Sequence, residues 1–208
     1  MEGIVPLPAG GCLRCAQIFP TTEATLDGGV CARCRREPPA YDRLLAYGSY
    51  AGPLRRAVQL LKYRGVESLG DRLGRLSAGT YRQHGVEADC IVAAPLHWNR
   101  RRERGFNQAE LLARPLAAET GLPLVRALVR VRPTVPQAGL TRKQRTTNLR
   151  GAFRARSRVG VRDKRIVVVD DVATTGATFE ACARALKRAG AAEVTGLAIA
   201  RAHAEIRG

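Results

Sequence analysis

The run Ile166-Val167-Val168-Val169-Asp170-Asp171-Val172-Ala173-Thr174-Thr175-Gly176-Ala177-Thr178 constrains this chain more than any other segment. Four consecutive β-branched apolar residues describe a strand buried on both faces, as in the middle of a parallel sheet. Two adjacent carboxylates follow at its C-terminal end, where open α/β sheets bind ligands. A loop of small residues comes next, with hydroxyls on Thr174, Thr175 and Thr178 and with Gly176 allowing a ligand close to the backbone. Ala177–Ala189 then reads as a helix closed by Gly190. Its free N–H groups and positive dipole end favour a dianionic phosphate. Carboxylates repel that phosphate but accept hydrogen bonds from sugar hydroxyls beside it. Phosphate followed by a vicinal diol is the layout of a ribose 5-phosphate. Reading Asp-Asp as a plain turn leaves two acids directly after a buried run unexplained. A Walker A loop is excluded, because the chain has no Gly-Lys-Ser/Thr.

Strand and helix patterns alternate around this motif. Leu44–Tyr50, Cys90–Ala94, Leu124–Val131 and Val194–Ala200 read as strands. Pro53–Tyr63, Leu69–Tyr81 and Asn107–Thr120 read as helices, the first with Leu54, Ala57, Val58 and Leu61 on one face. Pro115 lies inside the third, which predicts a kink. Such alternation argues for an α/β fold with a mostly parallel sheet flanked by helices.

The first forty residues have a different logic. Cys12 and Cys15, then Cys31 and Cys34, form two C-x2-C pairs separated by fifteen residues. Each pair sets two thiolates on one tight turn, and two such knuckles make a closed tetrahedral site. A disulfide pair or an iron–sulfur cluster is the alternative, and the N-terminus lacks the basic region of a secretory signal, which argues against disulfides. A segment this short cannot bury a core of its own, so a structural Zn2+ would supply its folding energy. Pro38-Pro39 marks the predicted boundary, giving a zinc ribbon over 1–40 and a main domain over 41–208. Cys90 and Cys182 read as core residues.

Charge narrows the partners. The 208 residues hold 35 Lys+Arg against 18 Asp+Glu, a net +17, and residues 97–165 alone carry +14 while 166–208 is neutral. Arg outnumbers Lys 31 to 4, so compositional drift is one explanation, but drift spreads an excess evenly. A local basic face points to a polyanion. Stacking contributes little to its binding, since aromatics are only 5% of the chain. No segment reaches the ~18–20 apolar residues of a membrane span, and a cytoplasmic protein is the expectation.

The 166–178 segment resembles the phosphoribosyl diphosphate (PRPP) loop of type I phosphoribosyltransferases. The wider chain resembles the ComF family of competence proteins. The shared marks are the four-cysteine ribbon, Leu61-Lys62-Tyr63-Arg64-Gly65, Ala94-Pro95-Leu96-His97 and Arg104-Gly105-Phe106-Asn107-Gln108-Ala109. They continue through Gln137, Leu140, Arg145, Asn148 and Gly151-Ala152-Phe153 to the PRPP loop. The resemblance implies a type I phosphoribosyltransferase-like α/β fold with a small N-terminal zinc ribbon. It implies that Asp170 and Asp171 hold the ribose hydroxyls, as candidate catalytic residues, and that Ala173, Thr174, Thr175, Gly176, Ala177 and Thr178 cradle the 5-phosphate. Pro95, Leu96 and His97 fall at the diphosphate loop. Arg100, Arg101, Arg102 and Arg104 could neutralise diphosphate, with Asn107 and Gln108 nearby. Residues 134–150, with Gln137, Arg142, Arg145 and Asn148, fall at a mobile catalytic flap. Mg2+ would accompany PRPP.

Two classes of function follow. One is a competence protein that binds single-stranded DNA through segment 97–165 during DNA uptake, with competence-machinery proteins as possible partners. The other is an active phosphoribosyltransferase with an unread base or amine acceptor. His97 is as consistent with a surface or phosphate contact as with an acid or base, and Lys62 with solvation as with ligand contact. Trp98 and Phe106 are stacking candidates, and Phe106 also suits the core.

Overall fold

The computed structural model describes residues 3–7, 10–18, 26–134, 141–157 and 159–202. Among the described residues the first elements are a two-residue-a-side hairpin, β1 (Leu26–Asp27) and β2 (Val30–Cys31), and a short helix α1 (Ala32–Arg36). Gly28 and Gly29 turn the hairpin with φ of 57° and 74°, a conformation glycine adopts without a Cβ penalty. The main body follows as β3 (Arg43–Ser49), α2 (Gly52–Tyr63), α3 (Ser68–Gln83), β4 (Cys90–Ala93), α4 (Trp98–Arg104) and α5 (Gln108–Thr120). It continues as β5 (Leu128–Arg130), α6 (Arg142–Leu149), β6 (Phe153–Ala155), β7 (Arg165–Ala173), α7 (Ala177–Arg188) and β8 (Glu193–Arg201).

The central sheet has the order β3-β8-β7-β4, and all three pairs are parallel. In register, Val168 of β7 sits between Val92 of β4 and Gly196 of β8. The period of two along β7 divides its apolar run between the faces. Ile166 and Val168 pack with Leu44, Phe179 and Leu186 on one side, and Val167 and Val169 with Leu61, Leu73 and Leu112 on the other. Burial on both faces is what four β-branched residues in a row demand, so the sheet is a middle layer between α7 and the group α2, α3 and α5.

Helix α2 buries Leu54, Ala57, Val58 and Leu61, with Pro53 in its first turn. Helices α3 and α5 meet at small residues: a Cβ on Gly74 would lie 2.6 Å from the Leu112 carbonyl oxygen and 2.8 Å from Pro115 Cγ. Pro115 is buried in that contact, and α5 continues unbroken through it to Thr120. No helix among the described residues is long and apolar enough to cross a membrane.

The span 124–131 departs from its predicted single strand. Val125 donates to the Ile91 carbonyl at 2.8 Å and Ile91 to the Pro123 carbonyl at 2.9 Å, so Leu124 extends the sheet edge beside β4 in parallel. Residues 128–130 instead pair antiparallel with β6 in a separate ribbon. Leu124 packs into the cluster on the α5 side, whereas Ala127 and Leu128 pack on the α7 side. The chain therefore crosses the sheet edge between them, which a run of apolar residues does not reveal.

The cysteine segment docks directly on the main sheet. Leu44 of β3 donates to the Arg14 carbonyl at 2.9 Å, and Leu7 donates to the Tyr47 carbonyl at 2.7 Å. Asp42 and Val194 exchange hydrogen bonds where the chain enters β3.

Candidate functional site

The acid pair lies within β7, which runs four residues beyond the β-branched segment, to Ala173. Successive strand residues point to opposite faces, so Asp170 and Asp171 face different neighbours. Asp170 lines a cavity of about 360 Å3 at the C-terminal edge of the sheet. Asp171 also reaches that cavity, but its side chain is 4% exposed and ends 2.9 Å from Lys62 Nζ of α2. The second carboxylate oxygen of Asp171 is buried and has no hydrogen-bond partner among the described residues. Asp170 accepts from the Asp171 backbone N–H at 2.9 Å.

Electrostatics follow from this crowding. Burial, then the neighbouring Asp171 charge, pushes the Asp170 carboxyl up to about 7. Burial works against the Lys62 ammonium, but Asp171 and Asp170 outweigh it and raise its pKa above the ordinary lysine value. Lys62 therefore stays charged beside Asp171, and Asp170 holds a proton more readily than an ordinary carboxylate.

After β7 the chain turns into α7 through Thr174, Thr175 and Gly176. Gly176 is the N-cap residue, with φ of 81°. A Cβ there would lie 2.9 Å from the Tyr41 hydroxyl. Ala173, Thr174, Gly176, Ala177 and Thr178 line the cavity, while Thr175 Oγ accepts from the Ala177 N–H at 3.3 Å and so caps α7. Pro95 and Leu96, just past β4, form the facing wall.

The arginines of α4 divide by helical spacing. Arg100 and Arg104, four apart, line the cavity. Arg101 pairs with Glu110 at 3.3 Å, and Arg102 lies over the Trp98 ring at 5.8 Å. Arg104 donates to Gln108, which also lines the cavity, and stacks over Tyr63 at 5.3 Å. Trp98 and Tyr63 are 61% and 71% exposed, whereas Phe106 packs against the core. Arg145 of α6 completes the cationic wall. Helix α6 is held by a capping box in which Thr141 and Gln144 bond reciprocally, and Arg132 clamps its C-terminal end through the Asn148 and Arg150 carbonyls.

Other sequence-selected polar residues stand behind the cavity. His97 is buried, and its Nδ1 accepts from the Asn99 N–H at 3.4 Å, capping α4. Asn107 caps α5 through Ala109 and donates to the Ala94 carbonyl at 3.1 Å, tying α5 to the end of β4. Asn148 is engaged through its backbone carbonyl and is not among the lining residues. Gln137 lies outside the described residues. Tyr50, Tyr63, Arg130 and Phe179 are among the lining residues to which the sequence reading gave no site role. Tyr50 follows a parallel strand at its ligand-binding edge, which is a usable signal. Arg130 gives none, because its position depends on the β5–β6 ribbon. Burial, then the Arg100 charge, lowers the Arg130 pKa, and its Nε is buried without a partner among the described residues.

The four cysteines of the ribbon converge with their Sγ atoms within 4.8 Å of one another, all buried. Tetrahedral Zn–S bonds of ~2.3 Å place sulfurs about 3.8 Å apart, so this donor set fits a zinc ribbon. The Cys31 N–H donates to Cys12 Sγ at 3.3 Å, and Arg33 approaches Cys34 Sγ at 3.7 Å. Such contacts offset thiolate charge.

A family profile for the phosphoribosyl transferase domain matches residues 103–206. The chain is 39% identical over 171 residues to DNA utilization protein YhgH of Salmonella typhimurium, covering 79% of this chain and 74% of that one. It is 32% identical over 179 residues to competence protein F of Haemophilus influenzae, covering 83% and 78% respectively. Among solved structures, glutamine PRPP amidotransferase from B. subtilis, complexed with ADP and GMP, aligns with a TM-score of 0.44 at 27% identity. That alignment covers 64% of this chain and 26% of that protein.

Proposed function

The chain belongs to the family of phosphoribosyl transferase domain proteins that includes competence protein F and DNA utilization protein YhgH, and from that premise we propose that it binds PRPP with Mg2+ and handles single-stranded DNA during DNA uptake. The observation that carries this reading is the convergence, in one cavity, of an acid pair, a glycine-capped helix start and the cationic wall of Arg100, Arg104, Arg130 and Arg145. Asp170 and Asp171 accept from the ribose hydroxyls. Ala173 to Thr178 receive the 5-phosphate through backbone dipoles and hydroxyls, in a stretch that is itself neutral. The arginines and the Pro95–Leu96 wall take the diphosphate. Mg2+ supplies charge neutralisation on the diphosphate and ribose oxygens.

Arg100 and Arg104 of α4 line the cavity, and segment 97–165 carries more positive charge than one diphosphate requires. This surplus supports a longer polyanion on the same side of the molecule. Zn2+ is the metal we assign to the four cysteines, and the cytoplasm the compartment.

A second reading, transfer of the phosphoribosyl group to a base or amine, draws on Asp170. A carboxyl pushed up to about 7 is matched to proton exchange near neutrality. In that reading the arginines stabilise the departing diphosphate charge.

Titration calorimetry with PRPP and Mg2+ tests the ligand. Binding should be lost in the Asp170→Asn, Asp171→Asn double variant, and unchanged affinity there overturns the sugar-binding role. A labelled single-stranded oligonucleotide tests the polymer: submicromolar binding at low salt supports it, and its absence refutes it. Diphosphate release from PRPP in the presence of candidate acceptors separates turnover from binding.

A further inference from the structure

Arg201, the last residue of β8, is 0% exposed and heads the fully buried side chains by volume. Its guanidinium spans two parts of the molecule that the sequence assigns to separate domains. On one side Nε donates to the Cys15 carbonyl at 3.0 Å and Nη2 to Gln17 Oε1 at 3.2 Å, both in the first cysteine knuckle. On the other side Nη1 donates to the Ala173 carbonyl at 2.7 Å and to the Thr174 carbonyl, at the start of the phosphate loop. A further bond reaches the Ala202 carbonyl at 3.2 Å.

Every oxygen in this set is neutral. A buried guanidinium without a carboxylate is expensive, and only a full complement of hydrogen bonds makes it tolerable. An apolar residue of similar volume would fill the space at less expense. What it could not do is hold two chain segments in fixed relation. Arginine's planar fork offers donors in several fixed directions, and here those directions are divided between the knuckle and the loop.

Two more contacts run between the same regions. Tyr41, buried just after the ribbon, presses its hydroxyl toward Gly176. The Ala40 N–H donates to Glu180 Oε2 at 2.6 Å in the first turn of α7. The floor of the phosphate loop is thus built partly from the cysteine segment. A zinc ion on four thiolates carries a formal charge of about −2, which offsets the nearby buried guanidinium as well as fixing the knuckle.

We propose that Arg201 is a positioning residue that fastens the phosphate loop to the first cysteine knuckle, so that metal binding at the four cysteines sets the order of residues 173–178. This rests on reading the cysteines as a metal site and the loop as a phosphate cradle. It makes the ribbon part of the ligand site's support, and it gives loss of metal a route to weakened ligand binding. By linkage, a ligand that orders the loop also tightens the metal.

Hydrogen–deuterium exchange on the full zinc-loaded chain tests this without relying on activity. Chelation of zinc from the unmutated chain should speed exchange in the 172–180 peptide by about tenfold, while amides of β4 and the first half of β7 keep their protection. In Arg201→Met the loop should exchange fast with zinc present, and chelation should add nothing. Arg201→Lys, which keeps the charge but not the fork, should fall between.

A loop unaffected by chelation, or a rise shared equally by the sheet, overturns the proposal. So does an Arg201→Met chain that responds to chelation as the unmutated chain does. If Arg201→Met fails to fold, the chelation arm on the unmutated chain and the Arg201→Lys variant still decide. PRPP with Mg2+ in calorimetry keeps the two readings apart: absence of binding to the zinc-loaded chain refutes the ligand, while loop exchange alone judges the role of Arg201.

Discussion

Lys62 Nζ lies 2.9 Å from Asp171 Oδ1, joining the last turn of α2 to the inner carboxylate of β7. Both side chains are largely shielded from water, so the pair behaves as a buried ion pair rather than a surface one. Removing one partner strands the other charge. Lys62→Met should destabilise the fold by about 3 kcal/mol, and the Lys62→Met, Asp171→Asn double variant should regain much of that loss. Urea unfolding of the two single variants and the double variant measures it. A Lys62→Met variant as stable as the parent would show that the pair contributes nothing.

Asp170 sets a pH dependence with a defined sign. Its carboxyl is pushed up to about 7 in the folded chain, from the ordinary aspartate value of 3.8. Between those values the folded state binds the extra proton, so this group's contribution to stability is full below about 4 and is lost as pH rises through about 7. Asp170→Asn removes the effect. Its melting temperature should exceed that of the parent at pH 8, by a few degrees, and converge with it near pH 4. Ligand binding that requires the ionised acid should release a proton at pH 6 to 7, visible in calorimetry as a heat that changes with the buffer.

The arginines of α4 should separate in their effect on polyanions. Arg100 and Arg104 face the cavity, while Arg101 is already paired with Glu110. The double change Arg100→Ala, Arg104→Ala should weaken oligonucleotide binding and flatten the plot of log K against log salt by about 1.4, at roughly 0.7 per lost phosphate contact on single strands. Arg101→Ala should leave that slope close to the parent's. Fluorescence anisotropy over a salt series measures both.

Gly176→Ala tests the loop's backbone. The residue has φ of 81°, and an added Cβ meets the Tyr41 hydroxyl at 2.9 Å. Left-handed strain and the clash act together, so the change should lower stability by about 1–2 kcal/mol. It should also weaken PRPP binding, because the loop must shift. Gly121→Ala, at a φ of 71° but with open space around it, should lower stability without touching ligand affinity.

The parts of this fold legible in sequence are those whose signals are local. Ile166–Thr178 carries its own strand, turn and helix start in thirteen consecutive residues, and the cysteine spacing carries the ribbon. The alternation of strands and helices gives the layered α/β body. What escaped depends on contacts between distant residues. Arg130 reaches the cavity only because 128–130 leaves the main sheet to pair with β6. Lys62 finds Asp171 only when α2 packs beside β7. His97 and Asn107 are polar and sit near the motif, yet in the fold their side chains satisfy backbone N–H groups at the starts of α4 and α5. Capping and ligand contact use the same residue types, and spacing alone does not separate them.

The strand order places β8 between β3 and β7. Asp42 and Val194, which close this junction, are 152 residues apart in the chain. Until β8 forms, β3 has no partner in the central sheet, and β7 is paired on one side only. The sheet therefore closes late, through a contact of very long range, and the incomplete chain presents two apolar edges able to recruit strands from other molecules. Slow, aggregation-prone refolding follows from that topology, and shortening the chain before residue 201 should abolish folding rather than trim it.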